Sequence, residues 1–116
     1  MTSRVFLISK STRFDYSTLD EWGEAIFLML DRQLSPFNVD AVMEEVEHQL
    51  VSNGFDYRHD FIALTGPAAM VALLVGYLGT LRRPIKLLIF HASHGVYQTR
   101  IMDGSRVSHA PSRGEG

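Results

Sequence analysis

The stretch Asp60-Phe-Ile-Ala-Leu-Thr-Gly-Pro-Ala-Ala-Met-Val-Ala-Leu-Leu-Val-Gly-Tyr-Leu-Gly79 decides the fold. Residues 61–64 are a short apolar run, as in a strand buried on both faces. Thr65-Gly66-Pro67 is a tight turn, and the almost wholly apolar residues after it predict a buried helix. Pro67 suits the first helical position, where a missing N–H costs nothing. This order sets the amides of a helix start beside the carboxyl end of a strand. In α/β proteins that is where anions and nucleotides bind.

The same letters admit a membrane reading, because residues 61–81 carry no charge and end in Arg82-Arg83. Thr65-Gly66-Pro67 interrupts the run and leaves a helix shorter than spanning requires. No membrane association is therefore expected.

Working outward, residues 4–9 (Arg-Val-Phe-Leu-Ile-Ser) form a second buried strand. Ser17 to Trp22 predict a short helix, with Thr18 and Glu21 spaced as a capping box. Glu24-Ala-Ile-Phe-Leu-Met-Leu30 reads as strand or helix, and Gly23 with the unbroken apolar run favours strand. Asn38 caps an amphipathic helix whose inner face is Val39, Val42, Met43, Val46 and Leu50. Phe37 is placed for a hydrophobic staple onto Val42. Asn53-Gly54 closes that helix, and Glu44, Glu45 and Glu47 line its wet side. Pro84 introduces strand 85–90. Ala92-Ser93-His94-Gly95 is a hairpin turn in which Gly95 supplies a positive φ. Residues 96–102 alternate as an antiparallel edge strand.

Strands alternating with helices predict a mostly parallel sheet. The expected fold is a small α/β three-layer Rossmann-like domain over residues 1–102, with a C-terminal antiparallel hairpin edge. Residues 103–116, rich in Gly, Ser, Arg, Pro and His, read as a disordered tail.

Composition bounds the function. A chain of 116 residues makes one domain, and 46% apolar residues supply a core. A net charge of −2 gives no general pull towards nucleic acid, so duplex DNA binding is not expected. The absence of cysteine removes disulfides and thiolate chemistry. The N-terminus lacks the pattern of a secretory signal, and the expected location is the cytoplasm.

The rim at the strands' carboxyl ends collects the candidate site: Ser9, Lys10, Ser11, Thr12 and Arg13 after the first strand, Thr65 and Gly66 after the third, His91 after the fourth. Lys10 and Arg13 can neutralise phosphate, and amides around Gly66 can face an oxyanion. His91 can read or polarise a ligand and is a weak catalytic candidate. Each residue also has a bland reading. Thr65 is a natural helix N-cap, and the cations can be ordinary surface charges. No Walker or Gly-x-Gly-x-x-Gly sequence is present. A triad of Ser11, His91 and Asp31 can be written on paper, but no nucleophile elbow supports it. His91 and His94 lie three apart without an accompanying carboxylate pattern, so no metal and no cofactor are assigned. His48 and His59 read as surface residues.

Small residues track along the apolar helix, Ala68, Ala72 and Gly76 on one line and Ala69, Gly76 and Gly79 on another. They fit close packing on the helix's own sheet or, alternatively, a second copy of the chain. A homodimer through that helix or through edge strand 96–102 is expected.

The strings Arg4-Val-Phe-Leu-Ile-Ser9, Gly23-Glu-Ala-Ile-Phe-Leu28, Asp60-Phe-Ile-Ala-Leu-Thr-Gly-Pro67 and Leu87-Leu-Ile-Phe90, with Tyr97 in the last strand, resemble small uncharacterised proteins of bacteriophages and their hosts. That resemblance implies a viral or mobile-element origin and no established activity. The layout is also similar to the compact domains of CRISPR-associated ring nucleases and cyclic-oligonucleotide sensors. This second resemblance implies a dimer and assigns Ser9, Ser11, Thr65 and Gly66 to ligand contact. The sequence thus leads to a binder of a phosphate-bearing small molecule, a nucleotide or nucleotide second messenger. The alternative is a non-enzymatic accessory protein acting through protein contacts.

Overall fold

A computed structural model describes residues 3–8, 16–28, 35 and 37–103. Among them five strands form one sheet: β1 (Arg4–Leu7), β2 (Glu24–Phe27), β3 (Phe61–Ala63), β4 (Pro84–His91) and β5 (Val96–Asp103). Their order is β2-β1-β3-β4-β5. The first four run parallel, and β4 pairs antiparallel with β5 through the 92–95 turn. This is the expected α/β sheet with a hairpin edge. Residues 24–27 are strand, as Gly23 suggested: Gly23 sits at φ +151, and a Cβ there would come 2.3 Å from the Ser3 carbonyl oxygen.

The sheet lies between two unequal layers. Helices α1 (Val39–Ser52) and α2 (Ala68–Thr80) cover one face, where Val42, Val46, Leu50, Met70, Leu74 and Leu78 pack on Phe6, Ile8, Ile62, Ile85 and Leu87. The other face is covered by the 3-10 turn Tyr16–Leu19 with Trp22, packed on Val5, Leu7, Ala63, Leu88 and Tyr97. Val5 to Ile8 are all fully buried, as a central strand requires. Each such aliphatic side chain contributes ~1.5–3 kcal/mol by leaving water.

Local chemistry set some elements differently from expectation. The 17–22 segment is a single 3-10 turn rather than a capped α-helix, and the Thr18 hydroxyl is buried without a partner. The run is too short to repay α-helix nucleation, and burial of Leu19 fixes it instead. Phe37 makes no staple, being 95% exposed. Val39, expected on the inner face, is also exposed, so the buried stripe of α1 starts at Val42. Asn38 does cap α1, its side chain accepting from Ala41 N at 3.4 Å. Gly54, at φ +66, follows the Asn53 cap. Strand β5 runs one residue past the expected boundary, to Asp103, which pairs with Pro84.

One polar knot ties the amino end of the sheet. Asp60 is buried and accepts from Arg4 N (3.1 Å), Arg4 Nη2 (3.1 Å) and Asp56 N (2.8 Å). The Arg4 guanidinium also donates to Gly54 O (2.7 Å) and to Asn53 O at the end of α1. A buried carboxylate is tolerable only when paired and hydrogen-bonded in this way.

Candidate functional site

Strand order locates the crevice. From β1 the chain passes outward to β2 across the 3-10 turn face, whereas β3 leads through α2 to β4 on the other side. The connections diverge between β1 and β3, and in open α/β sheets ligands bind outside that point. The β3 side of it carries Thr65 and Gly66. The β1 side continues into Ser9, Lys10, Ser11, Thr12 and Arg13, which lie outside the described residues, as does Asp31.

Gly66 takes φ +128, a conformation that side chains resist. A Cβ there would also come 3.3 Å from the Ile8 Cβ at the end of β1. The glycine thus lets the turn close onto β1. Leu64 N still donates to Leu88 O at 3.0 Å, so the chain leaves the sheet only after Leu64.

Thr65 does not cap α2. The N-cap position falls on Pro67, with no side-chain cap hydrogen bond. The first intrahelical bond joins Val71 N to Pro67 O at 3.0 Å, so the amides of Ala68, Ala69 and Met70 have no intrahelical acceptor. The half-buried Thr65 has its Oγ1 shielded from solvent with no hydrogen-bond partner. A solvent-shielded hydroxyl and, two positions on, a positive helix end without a side-chain cap therefore follow one another at the β3 side of the crevice. A helix start of this kind can receive an oxyanion.

His91 ends β4 but turns to its own hairpin. Its Nδ1 lies 2.9 Å from Ser93 Oγ and 2.9 Å from His94 Nδ1. The turn is closed by His91 O, which accepts from His94 N (3.0 Å) and Gly95 N (2.8 Å), with Gly95 at φ +67. Thr65 and Gly66 therefore belong together on one turn, and His91 belongs with Ser93 and His94 on another. His48 and His59 are exposed, as expected. Among the described residues no three His, Cys, Asp or Glu side chains gather as a metal site.

The small residues of α2 do not serve packing on its own sheet. Met70, Leu74 and Leu78 face inward, whereas Ala68, Ala69, Ala72 and Gly76 are exposed. A Cβ added at Gly76 or Gly79 would meet nothing within 4 Å. Near the helix end, Leu50, Val51, Phe55, Tyr77 and Leu81 line an apolar hollow of about 180 Å³. Burial pushes the Tyr77 phenol up from its ordinary 10.0, with Glu47 adding to the shift. No helix among the described residues is long and apolar enough to cross a membrane. Comparison of the chain with protein-family models, with curated proteins and with solved structures returned no match.

Proposed function

We propose that the crevice between β1 and β3 binds a phosphate-bearing small molecule, with a nucleotide or nucleotide second messenger as the ligand class. The observation that carries the reading is the shielded, unpartnered Thr65 hydroxyl beside the α2 end that no side chain caps. A phosphate oxygen accepting from the first α2 amides would satisfy them, the helix end favours its negative charge, and a small opening of the 65–67 turn would let the buried Thr65 hydroxyl donate to the same group. Ser9 and Ser11 would orient the group, and Lys10 and Arg13 would neutralise it, Arg by paired hydrogen bonds. His91, whose Nδ1 contacts Ser93 and His94 on the separate β4–β5 turn, is given no role in this reading. The reading stops at binding.

A thermal-shift panel of mononucleotides, dinucleotides and cyclic oligonucleotides tests it. A ligand at a hundred times its Kd stabilises by ~2.7 kcal/mol, a shift of several degrees for a domain of this size. Gly66→Val and Arg13→Ala should each abolish the shift, and Thr65→Val should reduce it. A flat response across the panel overturns the reading.

One observation favours a second reading, an accessory protein that acts through contacts between copies. The outward face of α2 is apolar and exposed, and edge strand β5 presents Ile101 at 66% exposure. Exposed apolar faces and open strand edges pair readily. Sedimentation of the wild type against Gly76→Arg and Ile101→Lys separates the two readings. A dimer dissociated by either change supports the second.

A further inference from the structure

We infer that two copies of this chain join along edge strand β5, which pairs antiparallel with itself about Thr99 and makes one continuous sheet across a two-fold axis. The inference rests on the second reading, contacts between copies, and selects the sheet edge over the α2 face.

The two edges of the sheet differ. Strand β2 spans four residues, whereas β5 runs eight in unbroken register with β4, without proline, lysine or bulge. Short length, proline, lysine and bulges are the devices that keep edges from pairing. The outward backbone groups of β5 can be identified. Leu64 N donates to Leu88 O at 3.0 Å, so Leu88 turns its backbone groups towards β3. Thr99, opposite Leu88, therefore sits in a pair that exchanges no hydrogen bonds, and its own N–H and C=O turn away from β4. Ile101, two residues on, does the same. Both residues are exposed. The one mid-strand charge, Arg100, donates from Nη1 to Thr99 O at 2.6 Å. The edge carbonyl is thus held by an exposed side chain that can swing aside.

Symmetry restricts the pairing. A two-fold axis normal to the sheet sets side chains of the same face opposite one another. Odd-numbered residues then pair with odd, and even with even. Centring on Arg100 opposes two guanidiniums, which is unfavourable. Centring on Gln98 sets Val96 against Arg100 and Ile101 against Gly95. Centring on Ile101 leaves residues 96–98 past the end of the other strand. Centring on Thr99 pairs the full strand. Tyr97 then lies opposite Ile101 of the second copy, Val96 opposite Met102 and Gln98 opposite Arg100. Apolar meets apolar on both faces, no like charges are opposed, and the two Thr99 residues exchange N–H···O bonds at the axis. The same register gives apolar neighbours to the exposed apolar side chains of β5, Val96 and Ile101.

The chain has no cysteine, so a single introduced one reports the register. In Thr99→Cys the two cysteine Cα atoms would stand ~5.5 Å apart, within the ~4.4–6.8 Å that a disulfide spans, and mild oxidation should link the dimer. In Ile101→Cys the two cysteines would lie four residues out of register, ~14 Å apart, and should stay unlinked. In sedimentation equilibrium, Thr99→Lys and Ile101→Lys should each raise the dimer Kd about tenfold, since symmetry applies each change twice. Circular dichroism should be unchanged, because both sites are exposed. Gly76→Arg should leave the Kd as it is. A link at 101 but not at 99 overturns the proposed register. A dimer that Gly76→Arg dissociates and Thr99→Cys does not link overturns the edge, while contacts between copies stand. A wild type that stays monomeric overturns both.

Discussion

Asp60 and Thr65, at opposite ends of β3, meet opposite polar environments. At the amino end, Asp60 is buried and accepts three hydrogen bonds, two of them from Arg4. The same guanidinium reaches the backbone that closes α1. At the carboxyl end, the Thr65 hydroxyl has no partner and α2 starts without a side-chain cap. A folded chain rarely leaves buried polar groups unpaired, because each costs ~1–3 kcal/mol. The Asp60 knot is therefore organised for the protein's own stability, although the indole nitrogen of Trp22, against Phe61 at the same end, is also buried without a partner. The carboxyl end retains hydrogen-bonding capacity that something else can use.

Substitutions can break or sharpen this contrast. The largest effect is expected from Asp60→Ala, which removes the carboxylate partner of Arg4 and the acceptor of two backbone amides, the guanidinium keeping only Asn53 O and Gly54 O. Removing one partner of a buried pair costs ~3–5 kcal/mol. Arg4 is 27% exposed, and water will soften the loss to about 2–3 kcal/mol, read by urea denaturation. A change below about 1 kcal/mol would mean that the amino end is not the anchor described.

Gly66→Ala comes next. It forces a side chain to φ +128 and against Ile8, for a cost of about 1–3 kcal/mol in the same measurement. A neutral result would show that the turn relaxes freely and lacks a fixed crevice.

Thr65→Val sharpens the contrast most directly. Replacing an unpartnered hydroxyl by a methyl should leave stability unchanged or raise it by up to ~1 kcal/mol. The matching change at a group that is paired, Asn38→Ala, should lower stability by ~0.5–1 kcal/mol, since it removes the α1 cap. If Thr65→Val destabilises as much as Asn38→Ala, the hydroxyl has a partner in solution and the crevice is already satisfied.

The smallest effect concerns Asp56, beside the amino-end knot. The Arg58 backbone N–H, donated to its carboxylate, is the main cause holding its pKa below the ordinary 3.8. The opposing desolvation is outweighed by that bond together with the Arg58 guanidinium and His59. A folded pKa below the unfolded one stabilises the fold above the unfolded value, and the benefit is lost as pH falls through the folded value. Asp56→Asn should therefore flatten the acid limb of stability slightly below about pH 3.8, and carboxylate NMR titration should show a midpoint below 3.8 in the wild type.

Most of the layered fold could be read directly. Unbroken apolar runs at β1 and β3 mark strands buried on both faces, and the 3.6-residue stripe in α1 marks a helix with one wet side; the apolar run 85–90 of β4, expected to be buried throughout, is buried only as far as Leu88, with Ile89 and Phe90 exposed. Glycines and prolines punctuate them. Gly23, Gly54, Gly66 and Gly95 all take positive φ, and each was placed at a turn or helix end. The site was legible only in part. Thr65 and Gly66 could be assigned to a strand-end turn because the signal is local, three residues between strand and helix. That Thr65 leaves α2 uncapped could not, because Thr, Gly and Pro in this order serve equally well for a capped start. His91 was placed on the same rim by strand-end logic. It lies three residues past Leu88, the partner of Ala63, and its Nδ1 contacts Ser93 and His94 on the β4–β5 turn.

The sequence by itself determined the alternation of strands and helices, the hairpin edge and the position of the tight turn. These depend on side-chain polarity at short range and on backbone angles that only certain residues adopt. Tertiary structure alone decided that Asp60 meets Arg4, 56 positions away, and that the small residues of α2 face outward. It also decided which polar groups find partners, because pairing between distant segments depends on strand order and register, which no local pattern encodes.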